Sequence, residues 1–462
     1  MNRNIEDYIR PGKRAHLVGV GGVSMAPLAE VLKGKGVEVT GSDMRESEAV
    51  AHLRSLGIPV VIGHLPESVE GAGCVIRTAA VHNDNPEIAA ALAAGIPVFE
   101  RAQAWGAIMR HYKNALCVAG THGKTTTTSM CTHIFLAAGR DPSVMIGGTL
   151  PILGCGHRVG HGDTIIAESC EYCNSFLSFA PTVAVILNIE PDHLDFFKDL
   201  DDIKASFRRF AQLVPSTGSV VVNNDNAGAR SIAYGLDPFT FGLEEGAECT
   251  AANLTWERGL PTFDIVVHGE RYAHVALRVG GIHNVSNALA ASSAAYVLGV
   301  PGSAVEEGLD AFTGAGRRFE KKGTYRGADV YDDYAHHPDE LRALLTMAKT
   351  LSYQRVICAF QPHTYTRTAA LFDRFVEVLK LADTVVLAPI YAARETDDLG
   401  MSSEKLAEKI PGAVSCGSLE DPVTKIFLYL VLSRGRICRS FLSKTMASLA
   451  ASKANALFSL LP

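Results

Sequence analysis

Gly120-Thr121-His122-Gly123-Lys124-Thr125-Thr126-Thr127-Thr128 follows the apolar run Ala115-Leu116-Cys117-Val118-Ala119 and precedes a segment, Thr125 to Ala138, with helical character. Strand, glycine turn, lysine, hydroxyl and helix, in that order, make a phosphate-binding loop. The glycines let backbone N–H groups approach an anion, and the helix N-terminus adds partial positive charge. The lysine adds a full charge, and a threonine hydroxyl can ligate magnesium. The general pattern has four residues between its glycines and would put the first at Val118, inside the strand; here the loop is the short Gly-Thr-His-Gly-Lys-Thr-Thr form. A plain turn with Thr125 as helix N-cap accounts for the hydroxyl but not for the lysine. The stretch predicts an α/β chain that binds a nucleoside triphosphate.

On the N-terminal side, residues 15 to about 110 alternate apolar runs with helical patterns. His16 to Val20, Glu38 to Ser42, Pro59 to Ile62 and Cys74 to Arg77 read as strands; Met25 to Lys35, Glu48 to Leu56 and Asn85 to Ala94 read as helices. Such alternation predicts a parallel sheet covered by helices. The first strand runs into the glycine turn Gly19-Val20-Gly21-Gly22-Val23-Ser24-Met25, and Asp43 ends the second, where dinucleotide folds carry a ribose-reading acid. With Met25 in the third glycine slot, the turn suits the diphosphate of a nucleotide-linked substrate better than a dinucleotide.

On the C-terminal side, Thr164 to Ala167 and Val183 to Leu187 read as further central strands. Alternating strands fill about 245 to 280, with Gly269-Glu270 as a hairpin turn, and Gly281-Ile282-His283-Asn284-Val285-Ser286-Asn287 opens an alanine-rich helix. A third alternating region begins near Arg318, with strands at Val330 to Asp332, Val356 to Phe360 and Thr384 to Ala388. The expected units are 1–110, 111–316 and 317–462, joined at the flexible Gly314-Ala315-Gly316.

A length of 462 residues fits several domains, and the formal charge of −6, with no basic stripe, excludes a nucleic-acid binder. The N-terminus lacks an apolar signal segment, and no apolar run is long enough to span a membrane. Ten scattered cysteines suit reduced thiols in a cytoplasm. Cys170 and Cys173 have no second pair for zinc and are expected to be small core residues.

Two acidic clusters follow central strands. Glu168 and Glu171 stand beside the loop, where magnesium needs a carboxylate. Asn188-Ile189-Glu190-Pro191-Asp192-His193-Leu194-Asp195 offers His193 as ligand for a second cation, with Asp192 as helix cap the plainer use. In the third region, Asp332-Asp333-Tyr334-Ala335-His336-His337-Pro338 and Gln361-Pro362-His363-Thr364-Tyr365-Thr366-Arg367-Thr368 each follow a strand and share one sheet edge. Arg367 there has the planar fork to clamp a carboxylate.

Taken together, these motifs, with Cys170-Glu171-Tyr172, Ser175-Phe176-Leu177 and Gly316-Arg317-Arg318-Phe319-Glu320, closely resemble the Mur ligases of peptidoglycan synthesis from about residue 10 to about 413. The histidine in the loop and the Asp-Asp-Tyr-Ala-His-His-Pro element resemble the alanine-adding members and their closest relatives. The resemblance implies a Rossmann-like N-terminal domain for a UDP-sugar, a central P-loop ATPase-type domain and a C-terminal Rossmann-like ligase domain. It implies that the lactyl carboxylate of UDP-N-acetylmuramate attacks the γ-phosphate of ATP to give an acyl phosphate, which L-alanine then opens.

Carried over by position, Gly120, Thr121, His122, Gly123, Lys124, Thr125, Thr126, Asn284, Asn287, Arg317 and Asp332 bind ATP. Gly19, Gly21, Gly22, Ser24, Asp43 and Thr78 meet the sugar nucleotide, and Tyr334, His363 and Arg367 meet the alanine. Lys124, Glu168 and His193 are catalytic, with Thr125, Glu168 and His193 holding magnesium, which manganese can replace. The implied protein is a cytoplasmic monomer or weak homodimer gated by domain closure. A ligase that recycles a whole tripeptide onto the same sugar nucleotide, and a nonenzymatic nucleotide-binding regulator, are the alternatives. The family's C-terminal Gly-Ala-Gly-Asp element is absent, and no acidic residue follows Asp421. About 414–462 therefore reads as an atypical tail, and the third domain is expected to lack its last strands and expose apolar surface.

Overall fold

A computed structural model describes residues 4–418 other than 79, 80, 195, 326, 352 and 394, together with the backbone of residues 456–461. It is an α/β chain built on three sheets.

The first sheet contains β1 (Arg14–Val18), β2 (Glu38–Asp43), β3 (Val60–Ile62), β4 (Cys74–Arg77) and β5 (Val98–Glu100), all parallel, in the order β3-β2-β1-β4-β5. The order reverses at β1, which places the glycine turn after β1 at the crevice where such sheets bind ligands. The helices Met25–Gly34, Glu48–Ser55 and Pro86–Ala93 lie within a residue of the expected ones. β5 and the helix Arg101–Met109 are additions that the short Val-Phe-Glu run did not signal.

The second sheet has ten strands. They are β6 (Asn114–Ala119), β7 (Ser143–Leu150), β8 (Cys155–Arg158), β9 (Thr164–Glu168), β10 (Val183–Ile186), β11 (Ser219–Asn223), β12 (Phe239–Phe241), β13 (Cys249–Glu257), β14 (Leu260–Val267) and β15 (Glu270–Ala276). Their order is β15-β14-β13-β12-β11-β10-β6-β9-β7-β8. β6 lies parallel between β9 and β10, its residues Ala115 to Ala119 fully buried, as an uninterrupted apolar run requires. The β14–β15 turn is His268-Gly269 rather than Gly269-Glu270, because Val267 pairs with Glu270. Both turn residues have positive φ, 51° and 84°, the pair of conformations whose twist matches a two-residue hairpin.

The third sheet contains β16 (Glu320–Tyr325), β17 (Ala328–Asp333), β18 (Arg355–Phe360), β19 (Thr384–Leu387), β20 (Val414–Ser415) and β21 (Ala456–Leu461), in the order β16-β17-β21-β18-β19-β20. The expected loss of the last strands is thus corrected. β21, drawn from the atypical tail, runs antiparallel to both β17 and β18 and bridges them. Ile426 to Leu432 and Arg434 to Arg439, within the stretch expected to be atypical, lie outside the described residues.

One apolar cluster runs through the first sheet and one face of the second, joining Leu17, Leu32 and Trp105 to Cys117, Ile186 and Phe207. The opposite face of the second sheet has its own core, which includes Met130, Phe263 and Leu289, and the third sheet packs separately around Leu345, Phe360 and Phe375. Between the first two sheets the fit is close: a Cβ on Gly106 would stand 1.8 Å from the Ser178 carbonyl oxygen.

Candidate active site

The loop after β6 turns at Gly123, whose φ of 86° is left-handed, and enters the helix Lys124–Ala137. Gly123 rather than Thr125 is therefore the helix cap, and Thr125 lies in the first turn. A Cβ on Gly123 would come within 2.6 Å of Asn287 Oδ1, so glycine is required both by backbone and by space. The helix is buried on nearly all sides, and its hydroxyls satisfy themselves internally: Thr128 donates to Lys124 O at 2.8 Å, Ser129 to Thr125 O at 2.7 Å and Thr132 to Thr128 O at 2.8 Å.

Lys124 Nζ donates to the carbonyls of Gly120 and Thr121 and lies 2.9 Å from Glu171 Oε2. Burial works to lower its pKa, but the facing Glu171 carboxylate raises it overall, so the ammonium stays charged. Glu171, the other magnesium candidate, is thus the lysine's partner. Glu168 stands at the Thr125 hydroxyl: its Oε1 accepts from that hydroxyl at 3.1 Å and its Oε2 from the Gly147 amide at 2.7 Å. A threonine oxygen and a carboxylate side by side form a hard oxygen donor set that suits magnesium.

Asn188, missed in the sequence, clamps the loop. Its Oδ1 accepts the His122 amide at 2.8 Å and its Nδ2 donates to the His122 carbonyl at 3.1 Å. The signal was its place at the head of the Asn-Ile-Glu-Pro-Asp-His motif. The Thr121 hydroxyl receives the Glu190 amide at 2.9 Å, which ties the same two segments.

His193, at φ 53°, points its Nε2 to 4.0 Å from Glu171 Oε1 and 3.8 Å from Asp192 Oδ2. Asp192 caps no helix; the next helix is capped by Asp199. Instead Asp192 Oδ1 accepts from Arg367 Nη2 at 3.0 Å and Nε at 3.3 Å, a contact between the second and third sheets. Burial works to raise the Asp192 pKa, but His193 and Arg367 beside it bring it well below the usual carboxylate range. Arg367 Nη1 also lies 3.1 Å from His363 Nδ1. Tyr334 stands near by, with Arg317 stacked over its ring at 4.7 Å. His336, whose pKa burial lowers to about 4, lies between the Tyr334 and His363 rings at 5.3 and 5.9 Å.

Asn284 and Asn287 lie at the start of the helix Ile282–Val297. Asn287 Nδ2 donates to Asn284 Oδ1 at 3.2 Å, and Thr127 Oγ1 donates to Asn287 Oδ1 at 3.2 Å. With His122, Gly123, Thr126 and Arg318 they line a cleft of about 670 Å³ between the second and third sheets. Asp332 is fully buried, its carboxylate 3.9 Å from Arg317; burial raises its pKa against that neighbour. Arg318 and Glu340, also missed, reach this cleft; Glu340 Oε1 lies 3.3 Å from His122 Nδ1 and 3.9 Å from Arg318. Nothing in the sequence separated Glu340 from an ordinary first-turn helix acid.

The predicted sugar-nucleotide residues gather at the crevice of the first sheet. Gly19 has φ 79°, and a Cβ there would stand 3.0 Å from the Thr78 methyl. Ser24 Oγ accepts from Arg101, and Gly22 N–H closes the turn on Gly19 O at 3.1 Å. Asp43 receives the Gly21 amide at 2.9 Å and the Arg45 amide at 3.2 Å, so it shapes the glycine turn. Cys170 and Cys173 are exposed rather than in the core, because Cys173 and Asn174 take left-handed φ of 54° and 57° in a kinked turn that faces outward. Asp195 lies outside the described residues.

Comparison with known proteins agrees along the chain. The family pattern described as the Mur ligase family catalytic domain matches residues 14–113, the Mur ligase middle domain residues 118–295, and the Mur ligase glutamate ligase domain residues 317–431. UDP-N-acetylmuramate–L-alanine ligase of Clostridium novyi is 44% identical over 418 residues, covering 89% of this chain and 91% of its own. That of Lachnospira eligens is 47% identical over 403 residues, covering 86% and 87%. Among solved structures, the UDP-N-acetylmuramate–alanine ligase MurC of Thermotoga maritima superposes with a TM-score of 0.71 at 29% identity, over 91% of this chain and all of that one. Three family patterns in chain order, and relatives more than two fifths identical over most of their length, place this chain in the Mur ligase family.

Proposed function

We propose that this protein joins L-alanine to the lactyl carboxylate of UDP-N-acetylmuramate at the expense of ATP, through an acyl phosphate. The observation that carries this is the meeting of two sets of groups where loops of the second and third sheets touch. Lys124, the Thr125–Glu168 pair and His193 lie on one side; His363 and Arg367 lie on the other, joined through Asp192. The relatives named for this activity, 43–47% identical, support it.

The triphosphate lies along Gly120 to Thr126, with Asn284 and Asn287 toward the base and Arg317 and Asp332 on the third-sheet side. Residues 1–110 take the UDP-sugar through Gly19, Gly21, Gly22, Ser24, Asp43 and Thr78; residues 111–316 take ATP; residues 317–462 bring Tyr334, His363 and Arg367 to the alanine. Thr125, Glu168 and His193 would hold divalent ions, magnesium with manganese as substitute, which when bound screen the charge of the triphosphate. The chemical problem is electrostatic: a carboxylate must approach a polyanion. Lys124, charged in its buried setting, draws the γ-phosphate and steadies negative charge as the acyl phosphate forms. Arg367, fixed by Asp192, orients the amino acid carboxylate so that the amine faces the activated carbonyl, and inorganic phosphate leaves. We read the protein as a cytoplasmic monomer or weak homodimer.

Phosphate release with ATP and UDP-N-acetylmuramate, with and without L-alanine, tests the reading. Release that needs L-alanine is expected. Release that responds to the tripeptide but not to L-alanine would favour the recycling reaction, and nucleotide binding without release would leave only a regulator.

A further inference from the structure

β18 and β19 are parallel neighbours, so the loops that follow them leave the third sheet side by side. The first loop carries His363 and Arg367. The second runs from Pro389 to Glu395 and holds the first at successive points. Gln361 Nε2 donates to the Pro389 carbonyl at 3.0 Å, the Tyr391 amide to the Pro362 carbonyl at 2.9 Å and the Thr364 amide to the Tyr391 carbonyl at 2.9 Å. The series ends on Glu395. Its Oε2 accepts the amides of Tyr365 and Thr366, the second at 3.1 Å, and its Oε1 accepts the Thr366 hydroxyl.

What these contacts hold is a strained turn. Thr364 has φ 66° and ψ 147°, a combination that glycine takes readily and threonine does not. Such a conformation persists only where its surroundings fix it. The strain lies between His363 and Arg367. With the chain turned there, Arg367 Nη1 comes back to 3.1 Å from His363 Nδ1 while Nη2 reaches Asp192. The short helix Tyr365–Ala370 opens directly after the strained residue, and its first amides have no acceptor within the helix. Thr364 Oγ1 takes the Arg367 amide at 3.3 Å, and Glu395 takes the two before it. We propose, resting on the ligase reading above, that Glu395 is a positioning residue for the amino acid substrate. It fixes the turn at Thr364 and thereby sets the direction in which His363 and Arg367 meet L-alanine. It acts by accepting three hydrogen bonds, not by offering its charge to the substrate amine.

Variants of the full chain, read by phosphate release against each substrate, test this. Glu395→Ala should raise KM for L-alanine at least about tenfold, the cost of a displaced orienting group. KM for ATP and for UDP-N-acetylmuramate should stay within about twofold of the parent. Glu395→Gln keeps an oxygen for the two amides and offers a nitrogen to the Thr366 hydroxyl, so KM for L-alanine should return to within about threefold of the parent. Glu395→Asp keeps the charge, loses the reach and should behave like the alanine variant. Added to Arg367→Lys, Glu395→Ala should raise KM by less than about twofold more, because it acts through that arginine. Melting curves check folding, and the glutamine and aspartate variants decide the matter if the alanine variant does not fold. A parental KM in Glu395→Ala, equal losses for all three substrates, or an aspartate variant as good as the glutamine one would overturn the proposal. Those results leave alanine-dependent release in the parent, and with it the ligase reading, standing. A parent that releases no phosphate in response to L-alanine would overturn both.

Discussion

Lys124 Nζ and the Glu171 carboxylate form a part-buried ion pair, 2.9 Å from nitrogen to the nearer oxygen, at the mouth of the phosphate loop. The lysine therefore serves two masters, the carboxylate that keeps it charged and the phosphate it is placed to receive. Its removal should be felt in stability as well as in turnover.

Lys124→Ala should lower kcat by at least about a hundredfold, the scale for losing one preorganised cationic contact to developing charge. It also leaves Glu171, 2% exposed, without its partner. We expect a loss of about 3 kcal/mol in stability, visible as a lower Tm. Adding Glu171→Gln should restore much of the Tm and none of the activity. Calorimetry and phosphate release on the single and double variants check both; a single variant with unchanged Tm contradicts the pairing.

Glu168 joins the Thr125 hydroxyl to the Gly147 amide. Glu168→Gln keeps the shape but removes the charge that a hard cation needs. The magnesium concentration for half-maximal activity should rise by roughly tenfold or more, with a smaller change in KM for ATP measured at saturating magnesium. A magnesium titration of the variant that overlays the parent's would remove Glu168 from the metal site.

Arg367 gives Asp192 two N–H groups, at 3.0 and 3.3 Å, and reaches His363 with a third nitrogen. A lysine cannot reproduce that fork. Arg367→Lys should raise KM for L-alanine by roughly tenfold. In a double-mutant cycle with Asp192→Asn the two residues should couple by about 1–3 kcal/mol in kcat/KM. Additive effects would mean that the contact across the cleft has no part in catalysis.

Stability should fall between about pH 6.5 and pH 4. Burial lowers the pKa of His283 and of His336 to about 4. Over that window the unfolded chain binds protons that the folded chain does not, so acid favours unfolding. Burial raises Asp333 to about 6 and also raises Asp332, which act in the opposite sense, but burial lowers His133 and His363 as well, so two aspartates stand against four histidines. His336→Gln should flatten the dependence of Tm on pH across this window. An unaltered slope in that variant would show that the ring does not remain neutral in the folded protein.

The sequence made the parallel strands and the phosphate loop legible because both are local. β6 ends in five consecutive buried apolar residues, and the loop Gly120-Thr121-His122-Gly123-Lys124-Thr125 follows it directly. The nearness of Glu168 to the loop was legible because it ends the strand beside β6. What stayed hidden depends on contacts distant in the chain. Asn188 reaches His122 across 66 positions, and Glu340 reaches the same residue across 218. The cysteine pair was misjudged because two left-handed residues, Cys173 and Asn174, turn it outward, and neither is a glycine that would have announced the turn. The hairpin slipped by one residue for the same reason, since His268 takes the positive φ.

The shared apolar cluster beneath the first two sheets, with no room for even a methyl group at Gly106, has a mechanical result. We expect those two bodies to move as one, with any hinge toward the third sheet at Gly314 and Gly316. Limited proteolysis should therefore cut at this linker well before it cuts between residues 109 and 114, leaving the glycine crevice of β1 and the lysine loop of β6 on one piece.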